Sequence, residues 1–125
     1  MRERDATIYI VDDDNSVRRG LARLLRPAGY RVETFASVRE FLERGDLDGL
    51  GCLVLDIRMP GESGLDLHQA LVDQGRDLPV IFITGNGNAP LTTLAMQRHA
   101  VDVLAKPFDD QTLLDAIQQA LVRAR

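Results

Sequence analysis

The chain of 125 residues is 45% hydrophobic and 27% charged, carries a net charge of −4 and has one cysteine. That balance excludes a disordered, collagenous or coiled-coil chain and a basic nucleic-acid-binding footprint, and the lone Cys52 excludes an internal disulfide, so it is expected as a small buried hydrophobe. The length suits one domain, residues 1–125, able to bury roughly two thirds of its unfolded surface; with no apolar run of about 18 residues and no signal-peptide pattern, a soluble cytoplasmic protein is expected.

Short β-branched runs alternate with helical patterns. "TIYIV" (7–11) is the first predicted strand. In the helix after it, Val17, Leu21, Leu24 and Leu25 recur at helical spacing, and Pro27 and Gly29 end it. "RVETF" (31–35) is the second strand. Ser37 and Glu40 match a capping box and open a short helix through Phe41 and Leu42. "CLVLD" (52–56) is apolar up to its last residue, as in a strand buried on both faces. "MPGESG" is expected as a loop and "LDLHQALVDQG" as a helix. "LPVIFIT" (78–84) is another buried strand. Pro90 suits the start of a helix over "LTTLAMQRH". "VDVLA" (101–105) is the last strand, Asp109 a predicted N-cap, and the final helix carries Leu113, Ile117 and Leu121 on one face. Five strands alternating with five helices predict an α/β domain with a parallel sheet. Right-handed crossovers leave few topologies, and the flavodoxin-like order 2-1-3-4-5, covered by helices on both faces, fits best.

In such sheets ligands bind at the carboxyl ends of the strands. The first strand ends in Asp12, Asp13 and Asp14, the third in Asp56 and the fourth in Thr84, while Lys106 and Pro107 follow the fifth. A solvated turn with a helix cap explains an acidic run taken alone. Carboxylates about 4 Å apart repel by roughly 4 kcal/mol at an effective dielectric near 20, so their convergence calls for a cation. Oxygen donors suit Mg²⁺ or Mn²⁺. A carboxylate beside such a metal and a lysine can attack phosphorus as a nucleophile, giving an aspartyl phosphate.

These residues resemble the receiver domain of two-component response regulators over essentially the whole chain. The resemblance rests on "IVDDD", "LVLDIRMPGESGLDL", "VIFITGNG" and "AKPF" in that order, and "ITGNG" with "AVDVLAKPF" looks most like the FixJ branch. It implies a phosphoacceptor signalling switch that catalyses its own phosphorylation and dephosphorylation, with a sensor histidine kinase as phosphoryl donor. Asp56 would be the phosphoacceptor. Asp13, the Asp56 carboxylate and the Arg58 carbonyl would bind the metal directly, and Asp12 through water. Lys106 would pair with the phosphoryl group, Thr84 would be the switch hydroxyl, and Pro107 would follow a cis peptide bond. Asp14 reads as a turn or capping residue. Also implied are a phosphorylation-dependent homodimer and a partner or output domain, with DNA contacted only through an output domain absent from this chain and no membrane contact.

Two positions depart from the family pattern. Val103 stands where relatives often carry an aromatic residue that moves with the switch hydroxyl, and His99 where they commonly have glycine. His99 reads as a cap or surface residue, with a pH-sensitive element as the sharper alternative. His68 reads as a helix-surface residue. Asn86, two residues past Thr84, either tunes water access to the site or only shapes its loop. Leu91, Leu94 and Val103 are either core or part of an apolar output face. Two other classes compete. A haloacid-dehalogenase-type phosphatase would use Asp12 as nucleophile, since Asp12-x-Asp14, Thr84, Lys106 and the Asp109–Asp110 pair imitate its motif order, but the short chain leaves no room for a substrate cap and "DIRMPGESG" is left unexplained. A nucleotide- or flavin-binding domain lacks any P-loop or G-x-G-x-x-G.

Overall fold

The computed structural model describes residues 6–45, 50–56, 58–59, 62–63, 69, 78–84, 102–105 and 108–124. The first strand, β1 (Thr7–Val11), leads into helix α1 (Asn15–Leu25). Strand β2 (Arg31–Phe35), helix α2 (Val38–Glu43) and strand β3 (Gly51–Asp56) follow. Two two-residue strands, β4 (Arg58–Met59) and β5 (Glu62–Ser63), precede β6 (Val80–Thr84), β7 (Asp102–Ala105) and helix α3 (Asp110–Ala124). The long strands form one sheet in the order β2-β1-β3-β6-β7, every neighbouring pair parallel. Counted among the long strands alone, this is the expected order 2-1-3-4-5.

The sheet is buried on both faces because its strands alternate between two cores. Ile8, Ile10, Cys52, Val54, Ile81, Ile83 and Leu104 face one side, where Leu21 and Leu25 of α1 and Leu113, Ile117 and Leu121 of α3 meet them. Tyr9, Val11, Leu53, Leu55, Val80 and Phe82 face the other, packed with Val38 and Phe41 of α2. Each such fully buried aliphatic or phenylalanine side chain contributes about 1.5–3 kcal/mol. On the second face Phe41 meets Tyr9 and Phe35 edge-on, with ring centroids 5.8 and 5.4 Å apart. Arg44 closes that face, its guanidinium 5.7 Å from the Tyr9 ring centroid and paired with Glu33 at 2.8 and 3.0 Å. Cys52 lies wholly in the first core, and burial pushes its thiol up to about 12, which keeps it protonated and unreactive.

Local signals set the helix ends. The Asp14 carboxylate accepts from the Ser16 and Val17 N–H groups at the start of α1, and the Ser37 hydroxyl accepts from the Glu40 N–H at the start of α2. After α1 the Tyr30 N–H reaches the Leu25 carbonyl and the Gly29 N–H that of Arg26. Gly29 has φ 102°, the left-handed conformation this C-terminal motif requires. Two sequence expectations are corrected. The "MPGESG" stretch is not loop throughout: Arg58 pairs with Ser63 and Met59 with Glu62 as an antiparallel ribbon. The fourth long strand begins at Val80, two residues later than expected. The helices expected over "LDLHQALVDQG" and "LTTLAMQRH" lie outside the described residues, save Gln69, which is helical. Among the described residues no helix is long and apolar enough to cross a membrane.

Candidate functional site

The register of the sheet assembles the site. Val11 stands opposite Leu55, so the next residues, Asp12 and Asp56, leave β1 and β3 side by side. Asp56 in turn stands opposite Ile83, so Thr84 leaves β6 one step further along the same edge. Thr84 stands opposite Ala105, after which the chain continues to Lys106. All these strands run parallel, so their carboxyl ends share one edge.

Asp12, Asp13 and Asp56 bring one carboxylate oxygen each to within 4.8 Å of one another. Asp12 is 2% exposed, Asp56 half-buried and Asp13 exposed, so the cluster opens from a buried floor toward water. Asp12 is held at several points. Its N–H donates to the Phe35 carbonyl at 3.1 Å, and its Oδ1 accepts from the Asp14 N–H at 2.9 Å. Its carbonyl accepts from Arg18 Nη1 at 2.7 Å. The other carboxylate oxygen, Oδ2, is buried. Thr84 is buried at 4% exposure. Three carboxylates at this spacing, two of them on adjacent strands, fit a hard divalent cation with oxygen ligands. Such a cation would offset the repulsion that the bare cluster carries.

Of the residues expected from the sequence, Asp12, Asp13 and Asp56 come together, and Thr84 lies on the same edge. Asp14 is a cap, pointed at the α1 backbone. Arg58 contributes backbone to β4, two residues past Asp56. Lys106, Pro107, His68, Asn86, Leu91, Leu94 and His99 lie outside the described residues. Val103 is half-buried and packs against the second core. Sequence reasoning missed Arg18. Its contact with a carbonyl six residues back leaves no periodic or motif signal.

A five-stranded parallel sheet of this order, with carboxylates gathered at its carboxyl edge, defines a phosphoacceptor-type signalling domain. The chain belongs to the response regulator receiver domain family, whose model matches residues 8–118. It is close to the FixJ branch. It is 48% identical over 120 residues to nodulation protein W of Bradyrhizobium diazoefficiens, covering 96% of this chain and 53% of that protein. It is 42% identical over 117 residues to the transcriptional regulatory protein FixJ of Azorhizobium caulinodans, covering 94% of this chain and 56% of that protein. The crystal structure of FixJ-N superposes with a TM-score of 0.89 at 40% identity, covering 98% of this chain and 96% of that one. The chain thus spans about half the length of the curated relatives it matches.

Proposed function

We propose that Asp56 accepts a phosphoryl group from a phosphohistidine of a sensor kinase. One Asp56 carboxylate oxygen forms the new P–O bond as the donor's P–N bond breaks, and the departing imidazole is neutral once it takes up a proton. Burial supports Asp56 over Asp12 as the nucleophile. Asp12 is almost fully enclosed with Oδ1 already accepting a hydrogen bond, whereas Asp56 is half-buried. Asp12, Asp13, Asp56 and the Arg58 carbonyl would hold Mg²⁺ or Mn²⁺, which when bound neutralises charge on the transferring phosphoryl oxygens. Lys106 would pair with the phosphoryl group, and the Thr84 hydroxyl would donate to one of its oxygens. The domain thereby assists both its own phosphorylation and, by the same geometry, the attack of water that reverses it.

Phosphorylation would then act as a switch, since a dianionic group on Asp56 adds contacts to one of two pre-existing conformations. The favoured conformation would alter affinity for a second copy of the chain, or for an output partner that in a longer protein reaches DNA. This exchange with a kinase belongs in the cytoplasm. The observation that carries the reading is the meeting of three carboxylates from two adjacent strand ends. Intact-protein mass after incubation with acetyl phosphate tests it, with Mg²⁺ and with EDTA, for the wild type, Asp56→Asn and Asp12→Asn. The expected result is one added phosphoryl group that requires Mg²⁺ and is lost in Asp56→Asn. Labelling kept in Asp56→Asn and lost in Asp12→Asn would instead identify a phosphatase-like nucleophile.

A further inference from the structure

Arg18 is half-buried on the second turn of α1, close to a site that must attract a divalent cation. A guanidinium there opposes metal binding through charge alone. Its hydrogen bonds, however, go to the Asp12 carbonyl at 2.7 Å and the Asn15 side-chain carbonyl oxygen at 3.3 Å.

The Asp12 carbonyl is the first that β1 leaves beyond its paired residues, which end with Val11 opposite Phe35 and Leu55. At this strand end Arg18 supplies a donor to that carbonyl. With its N–H bonded to Phe35, its Oδ1 to the Asp14 N–H and its carbonyl to Arg18, Asp12 has its backbone fixed on both sides. The direction in which the chain leaves Asp12 decides where the next carboxylate, Asp13, stands. The Arg18 N–H also donates to the Asp14 carbonyl at 3.1 Å, so main chain and side chain of one residue bracket the whole acidic turn.

We infer that Arg18 is a positioning residue for the divalent-cation site. By gripping the Asp12 carbonyl it holds the Asp12 and Asp13 carboxylates at ligating separation, and this outweighs the repulsion its charge exerts on the cation. The inference rests on the metal reading of the acidic cluster. Groups that orient metal ligands from behind typically change metal affinity by 10–100-fold when removed.

The test is Mn²⁺ titration of the full chain, followed by the water-proton relaxation of the bound ion, at two salt concentrations. The variants are Arg18→Ala, Arg18→Lys and Asp13→Asn, and urea unfolding in EDTA reports the stability of each. Arg18→Ala is expected to weaken Mn²⁺ binding about tenfold at both salt concentrations. Arg18→Lys, which keeps one donor to the carbonyl, should recover most of the loss. A global loss of stability alone would not give that pattern of rescue. Tighter binding in Arg18→Ala, fading at high salt, would overturn the inference by showing that repulsion dominates. Equal affinity in wild type and Arg18→Ala would also overturn it, while leaving the metal reading intact if Asp13→Asn still loses the ion. Failure of the wild-type chain to bind Mn²⁺ would overturn the metal reading and the role of Arg18 together.

Discussion

Asp12 and Asp56 stand at the same level of two adjacent parallel strands, because the residues before them, Val11 and Leu55, are register partners. A single-residue slip of β3 against β1 would exchange the two cores on the slipped strand and would also part these carboxylates. The hydrophobic pattern that fixes the core therefore fixes the site.

The exposed member of the cluster should reveal its electrostatic cost. Asp13→Asn removes one charge from three carboxylates whose oxygens lie within 4.8 Å. Without metal and at low salt the variant should be more stable than wild type by about 1 kcal/mol, the modest size reflecting solvent screening. Adding Mg²⁺ should raise the melting temperature of the wild type more than that of the variant. Thermal melts with Mg²⁺ and with EDTA check both signs.

Gly51→Ala should destabilise the domain. A Cβ there would stand 3.0 Å from Tyr9 Cε2 and 3.1 Å from the Thr7 carbonyl oxygen. The carbonyl belongs to the β1 backbone and cannot swing aside, so β1 and β3 must part slightly. A loss of about 1–3 kcal/mol is expected, read as a lower urea midpoint with an unchanged slope.

Gly20→Ala should do the reverse. Gly20 lies inside α1, exposed, and a methyl group added there would meet nothing within 4 Å. Alanine lowers the entropy of the unfolded chain and favours helix, worth about 1 kcal/mol. The melting temperature should rise by a few degrees, with phosphoryl acceptance unaltered.

The cap of α3 should be visible in acid. The Asp109 carboxyl is held below its ordinary 3.8 by the Thr112 hydroxyl and then by the Thr112 N–H, both bonded to Oδ1 at 2.8 Å. A carboxyl depressed in the folded state contributes stability that is fully present above its unfolded pKa. That contribution is lost as pH falls through the folded value. The stability difference between wild type and Asp109→Asn should therefore be constant above about pH 5 and shrink below pH 4. A difference that stays flat down to pH 3 in urea titrations would show that the charge adds nothing to the cap.

Much of this was legible in the sequence because the signals are local. Ser37, Asp14 and Asp109 are caps by residue type and place, and unbroken apolar runs such as "CLVLD" announce strands covered on both faces. The acidic turn and Asp56 were legible as strand-end polar residues, since a parallel sheet sends all such ends to one edge. The β4–β5 ribbon was not legible. Two-residue strands around Pro60 and Gly61 carry no alternation, and the residue types there are those of a turn. Arg18 was not legible because its side chain follows helical spacing with its neighbours, while its partner is a carbonyl before the helix begins.

The all-parallel pairing has a kinetic consequence. No two neighbouring strands of the main sheet are joined by a tight hairpin. Thr7 of β1 pairs with Arg31 and with Gly51, so β1 must wait for partners 31 − 7 = 24 and 51 − 7 = 44 residues downstream. Closing segments of that length costs chain entropy before any ladder contact compensates. Folding is accordingly expected in milliseconds to seconds rather than microseconds. Until β3 docks, the edge of β1 that will take it stands unpaired, and that interval is when the chain is most open to association with its own copies.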